Sequence, residues 1–410
     1  MKLRWPLLIL PFVFVACSGD STDDAGTPPA ACLNISGEVE ASGLKIRKPE
    51  DETHGCVEMP GSKEDEKLCG EKEPELGCLG QNDPLGTPIN VIYTGCVNSF
   101  GLEAASDDLT VTVMRESVGG TRTDPGYDLN GPTGAQTEKT PAAQIGRTLS
   151  TRVERTECFD FGHFELANVP TETPLIVRVT DQHIDRENRG YVDTYQYNVV
   201  LRNTALRMGP SPTSPLVTDP ATYCAANACY AVDDVNTVYE VTFGTVATTA
   251  GVTNIMGSDD LYDGVGQGHL AGEVQDCTSK DTLQNAVIAL DVKARKTAYF
   301  NVGYGTGVYN LENPRVDQSR TRTNADGLYA AIALDTPPGG IEAHVGAAIT
   351  TSVCGDDGVC KCVDGKANPL WTAADANEAN TVVLGDRRIY VYPDSISILT
   401  FDSFTYTTHN

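Results

Sequence analysis

The chain has 410 residues, of which 40% are hydrophobic and 21% charged, enough apolar material for two or three domains with real cores. Its 56 Asp and Glu against 30 Lys and Arg leave a formal charge of −26. Such a surface is repelled by nucleic acid and by anionic lipid, so no nucleic-acid partner is expected, and most of the carboxylates read as a solvated acidic exterior.

In chain order, the first segment is "MKLRWPLLILPFVFVAC". Lys2 and Arg4 give a positive start, and Trp5 to Ala16 form an apolar stretch shorter than the about 20 residues a membrane-spanning helix needs. This is the pattern of a signal peptide over residues 1–16. Ala16-Cys17 followed by Ser-Gly-Asp resembles the lipobox of bacterial lipoproteins, with Phe14 where that pattern usually has Leu. The resemblance implies cleavage before Cys17 and a diacylglycerol on its thiol; the other reading is an ordinary cleaved signal. Residues 17–33 are small, polar and Pro-containing, the composition of a disordered tether. Residues 34–87 hold little apolar periodicity and several cysteines, and read as a Cys-containing irregular segment.

From there the dominant signal has period two. "INVIY" (89–93), "LTVTVM" (109–114), "LIVRV" (175–179), "YQYNVVL" (195–201), "VYEVTF" (238–243), "AVIALDV" (286–292) and "RIYVY" (388–392) alternate or are β-branched, and Gly, Pro, Asn and Asp punctuate them. One stretch, "WTAADANEAN" (371–380), reads as a short helix with Thr372 as N-cap. The chain is therefore all-β, and many short antiparallel strands favour sandwiches.

Asn324, Asp326 and Gly327 form a turn before "LYAAIAL", in which Leu328, Ala330, Ile332 and Leu334 take one face. Pro337-Pro338-Gly339-Gly340 breaks that strand, and "IEAHV" (341–345) follows as its expected hairpin partner. "DFGHFELANVPTETPLIVRV" (160–179) repeats the plan. Gly162 precedes Val169 by the same interval as Gly327 precedes Leu334, and Phe164 and Tyr329 stand two after their glycines. Cys96 precedes "LTVTV" as Cys277 precedes "AVIAL". These matches predict a divergent internal repeat.

Gly272-x-Val274, Leu283-x-Asn285-Ala286-x-Ile288, Asn324-x-Asp326-Gly327-x-Tyr329, Leu334, Pro337 and the closing "RRIYVYPDSISILTF" (387–401) resemble the carboxypeptidase regulatory-like domain, a transthyretin-like sandwich. The resemblance covers residues 268–404 and, more weakly, 88–202, with 203–267 as a linking segment that contains strands. It departs from the family in an insertion between the second strand and the turn, and in a Cys-rich loop between 353 and 378. Similar tandem arrangements occur in lipoproteins of myxobacteria-like bacteria. What the resemblance implies is tandem transthyretin-like antiparallel sandwiches behind a lipidated tether, in an exported outer-membrane protein facing the periplasm or the cell surface. The implied role is non-catalytic, a scaffold or binding module contacting envelope or surface proteins, with no cofactor.

Thirteen cysteines leave an even number if Cys17 is lipidated, which suggests disulfides in an exported chain. Cys224 and Cys229 are spaced to close a short loop. Cys354, Cys360 and Cys362 in "CGDDGVCKC" are stapled internally or to Cys277; as zinc ligands they lack a fourth partner at suitable spacing. None of the six histidines sits in HExxH, and no GxSxG occurs. His163 and Glu165 flank Phe164 on one strand face, as a surface pair or part of a site. In "SDDLYDG" an irregular calcium site using Asp259, Asp260 and Asp263 stands against a solvated linker, since Leu261 occupies a position where an EF-hand needs oxygen. Two alternatives to the scaffold are a secreted hydrolase using Asp/Glu acid-base chemistry and a carbohydrate-binding module. The latter would use an exposed platform of Tyr191, Tyr195 and Tyr197 to hold glycans.

Overall fold

The structure, a computed structural model, describes residues 54–55, 78, 81, 83–100, 106–115, 127–128, 137–138, 144–152, 158, 162–181, 190–252, 267–283, 286–300, 316–318, 323, 326–337, 340–354, 360–361 and 381–402. The signal segment, Cys17, the tether, the 371–380 helix and the aspartates at 259, 260 and 263 lie outside the described residues.

Among the described residues the first sandwich is built chiefly from β1 (Asn90–Phe100), β2 (Leu109–Arg115), β3 (Gln144–Leu149), β4 (Gly162–Pro170), β5 (Leu175–Asp181) and β6 (Tyr191–Val199). β1 pairs with β4 in one layer; β3, β2, β5 and β6 follow one another in the second. Period-two alternation explains the core. Val91, Tyr93 and Val97 of β1 turn inward against Val111 and Val113 of β2 and Val177 and Val179 of β5. Tyr93 meets Phe164 edge-on with ring centroids 4.9 Å apart.

The segment assigned above as a link belongs largely to this sandwich. α1 (Pro220–Ala226) starts at Asp219, whose carboxylate accepts from the Thr222 N–H. β7 (Tyr230–Val232) and β8 (Val235–Tyr239) then run parallel to β1 on the edge away from β4. The "VYEVTF" strand ends at Tyr239, and α2 (Glu240–Thr249) takes over. Its β-branched residues favour a strand locally. Packing overrides that preference, because a helix buries Phe243 and Ala247 on one side and leaves Val241 in solvent.

The second sandwich comprises β9 (Gly268–Glu273), β10 (Ala286–Leu290), β11 (Ala294–Tyr299), β12 (Leu328–Leu334), β13 (Ile341–Cys354), β14 (Thr381–Val391) and β15 (Ser395–Ile398). One layer is β11-β12-β9-β15; in the other, β13 lies between β10 and β14. The expected hairpin of β12 with β13 is therefore absent, since the two strands lie in opposite layers. Pro337 stiffens the start of a connection that carries the chain across the roughly 10 Å between packed sheets. β4 and β5 part in the same way. β11 arises inside the insertion between the second strand and the turn, and forms that layer's outer edge.

The internal repeat holds in three dimensions. Gly95 lies opposite Phe164, and Gly272 lies opposite Tyr329. Asp233 donates its N–H to Thr94 O, and Leu399 donates to Ala271 O, so β7–β8 and β15 hold equivalent places. Each antiparallel pair slips register at one point, with Asn168 and Ala333 at φ 62° and 60° one residue before Val169 and Leu334. At both glycines a Cβ would lie 1.9 Å from a carbonyl oxygen, that of Asp233 or Leu399, so the parallel neighbour approaches only because no side chain intervenes.

The two sandwiches join through their sheets. β6 pairs parallel with β15 from Asp193–Ser395 to Gln196–Ile398, which gives the continuous run β3-β2-β5-β6-β15-β9-β12-β11. Met114, Ile176, Tyr195 and Tyr197, on the outer face of the first sandwich, enter the core of the second. There Arg178 bonds Asp193 at 2.5 Å and lies over the Tyr195 ring, all three buried. Tyr197 Oη and Ser397 Oγ donate to the Tyr390 carbonyl. Cys78 is bonded to Cys277, tying chain that precedes the first sandwich to the second.

Two stability outcomes follow. Gly272→Ala should lower urea stability by about 1–3 kcal/mol or more, because backbone must move, whereas Gly146→Ala meets only the flexible Leu166 side chain and should shift the midpoint far less. Asp193→Ala, which removes the carboxylate partner of a buried guanidinium, should lose about 3–5 kcal/mol, and Arg178→Met combined with Asp193→Leu should recover most of it. Equal losses in the single and double variants would contradict this account of the seam.

Candidate functional site

Where the sandwiches meet, on the face of the shared sheet away from the second core, lies a partly open cavity of about 150 Å³. Strand alternation sets its floor. His269, Ala271 and Glu273 of β9 turn toward it while Leu270 turns into the core; Leu328 and Ala330 of β12 and Ile396 and Ile398 of β15 complete the floor. The first sandwich provides Phe100 at the end of β1, Val238 of β8, and Phe243 and Val246 of α2. Phe300 faces Phe100 edge-on at 6.3 Å. The walls are thus chiefly apolar, and Glu273 is the one carboxylate among the lining residues. Burial raises its pKa, while the hydrogen bond from Gln275 at 3.0 Å pulls it down.

His269 is 4% exposed and lies 4.4 Å from Phe243, centroid to centroid. Its Nδ1 accepts the Ala333 N–H at 3.1 Å. That bond fixes the tautomer, because a ring nitrogen that accepts carries no proton, so the neutral ring bears its hydrogen on Nε2. Burial pushes the imidazole pKa down to about 3, so the ring is neutral across the physiological range. Ala333 is the residue held at φ 60° by the register slip, a backbone region that an L-alanine adopts at a cost of about 1–2 kcal/mol. The slip directs its N–H at the imidazole instead of at the strand ladder.

The other candidates fall elsewhere. Tyr191, Tyr195 and Tyr197 are 5%, 2% and 4% exposed, so the aromatic platform for a glycan is not there. Tyr191 packs on Tyr239 in the first core, its hydroxyl pKa pushed up to about 12 by burial, while Tyr195 and Tyr197 fill the seam. His163 and Glu165 form no surface pair: His163 is buried with Nε2 2.9 Å from Thr94 Oγ1, and Glu165 is exposed. Cys224 is bonded to Cys229 and Cys96 to Cys158. Because Cys277 is bonded to Cys78, it does not staple the "CGDDGVCKC" segment; there the backbone register places Cys354 opposite Cys360, and Cys362 lies outside the described residues. Among the described residues no group of three metal-binding side chains occurs, and no helix is long and apolar enough to cross a membrane. Sequence reading missed His269, since one histidine in a glycine-rich stretch gives no signal until the parallel strand and α2 close over it.

No protein-family model matches the sequence, and no curated protein matches it. Among solved structures the chain is similar to the shaft pilin SpaA of Lactobacillus rhamnosus GG, at 10% identity and TM-score 0.16, covering 77% of this chain and 98% of that one. The streptococcal ancillary pilin aligns at 9% identity and TM-score 0.16 over 76% of this chain and 62% of its own. BcpA, the major pilin subunit of Bacillus cereus, aligns at 9% identity and TM-score 0.16 over 77% and 69%.

The depressed imidazole pKa sets a pH dependence. Above about 6.5 the ring is neutral whether folded or unfolded; below that value the unfolded chain takes up a proton that the folded chain refuses until pH falls to about 3. This contribution to stability is therefore present at neutral pH and is lost as the solution is acidified. Between pH 7 and pH 5 it should amount to about 2 kcal/mol. Glu273, with its raised pKa, works in the opposite direction at more acid pH. The difference between wild type and His269→Ile isolates the imidazole, because Glu273 is common to both. Urea unfolding at several pH values should show the wild type losing stability faster than the variant, and parallel curves would refute the assignment.

Proposed function

We propose that the protein is a lipid-anchored, non-catalytic envelope protein that acts as a rigid scaffold or binding module, with Cys17 as the anchor and two transthyretin-like sandwiches of the carboxypeptidase regulatory-like type held off the membrane. The observation that carries this reading is the β6–β15 pairing. It merges two sandwiches into one hydrogen-bonded sheet, so the loops at either end keep a fixed separation and orientation. A spacer or docking platform needs that property, and loops on a rigid frame are where recognition residues sit. The repeat favours the family assignment, because two copies with the same parallel closing strand and the same register slip imply one ancestral unit. The disulfides favour an oxidising compartment outside the cytoplasm. The partners in this reading are envelope or surface proteins, met through loops on an acidic exterior.

The test is expression of the whole chain with its leader in a bacterium with two membranes, followed by fractionation, mass measurement of the mature N-terminus, and crosslinking in intact envelopes. The expected result is a mature chain beginning at lipid-modified Cys17 that sediments with membranes and crosslinks to envelope proteins, and a Cys17→Ser chain that leaves the membrane fraction. An unmodified N-terminus on a freely soluble chain without crosslinks would end the proposal.

A further inference from the structure

The two copies of the sandwich allow one to ask which side chains the fold itself requires. Aligning Gly95 with Gly272, and the two register slips with each other, places Ile92 of β1 where His269 stands in β9. The first copy makes the same slip, with Asn168 at φ 62° in place of Ala333, beside an isoleucine. A buried imidazole is therefore not a requirement of the sandwich. It occurs in the copy whose outer face is roofed by α2 and β8 to form the cavity.

The ring has one polar group left to satisfy. Nδ1 is occupied by the Ala333 N–H, so Nε2 carries the hydrogen, and no acceptor within hydrogen-bonding distance of Nε2 occurs among the described residues. A donor on a side chain this deeply buried wants an acceptor, and the space beside it belongs to the cavity. Around it the lining is mostly apolar, with Phe100, Phe243 and Phe300 above and Ala271, Ala330 and Ile396 below, while Asn236 and Thr400 add neutral polar groups. Glu273 on the same floor, and the net charge of −26, set a negative potential that disfavours anionic guests.

We propose that this cavity is a binding site for a small neutral molecule with an apolar body, of about six to ten heavy atoms, and one carbonyl-type acceptor that receives the His269 Nε2–H. The size follows from the volume, since a cavity near 150 Å³ takes a molecule about as large as a substituted benzene. The acceptor takes the place of whatever water reaches Nε2, while the apolar body displaces water that finds few partners on the walls. Because the walls come from both sandwiches, a bound guest also bridges α2 to β9 and tightens the junction. The site does not depend on the scaffold reading and stands or falls separately.

The test uses the full mature chain and fluorine NMR with 4-fluoroacetophenone, 4-fluorotoluene and 4-fluorobenzoate. These share one ring and differ in carrying a neutral acceptor, none, or a charge. Wild type should bind the ketone about tenfold or more tighter than the toluene, and the benzoate more weakly than the ketone. His269→Ile, which copies Ile92, should keep the fold and remove the preference for the ketone while leaving the toluene nearly unaffected. Ala271→Leu, which fills the floor, should abolish binding of both neutral probes with the circular dichroism spectrum unchanged. No binding of the ketone by wild type, equal affinity for ketone and toluene, or affinities that Ala271→Leu does not alter would each overturn the proposal.

Discussion

The structure depends on the parallel contact between β6 and β15. Each strand ends a layer in its own sandwich, β6 pairing there with β8 only at Tyr191 and Val192, and an open edge offers unsatisfied N–H and C=O groups to any passing strand. Pairing the two edges removes both liabilities at once. It also explains why the outer face of the first sandwich is apolar at Met114, Ile176, Tyr195 and Tyr197, residues that an isolated sandwich would leave in water. The Arg178–Asp193 pair buried in the same place is weak evidence for stability, since desolvation of two charges offsets most of their attraction. Its directional bonding does fix which residues of the two sandwiches face each other, a role that apolar contact alone fills poorly.

The repeat and the seam together account for the unusual strand chemistry of the closing segment. Ser395, Ile396, Ser397 and Ile398 are all buried although they alternate polar and apolar. The isoleucines face the cavity side under β8 and α2. The serines face inward, where Ser395 Oγ and Ser397 Oγ donate to the carbonyls of Tyr392 and Tyr390. A solitary sandwich would expose one of those faces. Enclosure by both sandwiches lets a four-residue strand carry alternation and full burial together.

Much of this was legible from residue order. Alternation in "LTVTVM", "LIVRV" and "AVIALDV" located strands β2, β5 and β10, and the matched glycine intervals revealed the repeat. What failed did so for long-range reasons. Leu328–Leu334 and Ile341–Val345 look like a hairpin because local grammar specifies a turn and two strands, but not whether the second returns to the same sheet or crosses to the other. "VYEVTF" reads as strand because Val, Tyr and Phe favour one; only the sheet beneath it selects a helix. The tyrosines at 191, 195 and 197 alternate like surface decoration, and nothing in their own stretch announces that Tyr239 will pack on the first of them and that a strand some 200 residues later will join the seam that buries the other two. The site was hidden for the same reason, since its walls come from β1, β8, α2, β9, β12 and β15, scattered along the whole chain.

The divergence of the two copies shows where constraint lies. The glycines at 95 and 272, and the slips at 168 and 333, persist because the parallel neighbour and the strand crossing need them. Aromatic rings persist at Phe164 and Tyr329 because each packs in a core opposite its glycine; Tyr329 also donates to the Leu399 carbonyl at 2.6 Å, a bond that phenylalanine cannot make. Positions on the outer faces differ between the copies: Thr94 against Ala271, Glu165 against Ala330, Ile92 against His269. In the second copy all three exchanges fall on the floor of the cavity. Two of them place alanine there, which makes room under α2, and the third places an imidazole at its margin. A sandwich joined to a neighbour gains a sheltered outer face, and change on that face is limited less by folding than by what the shelter holds.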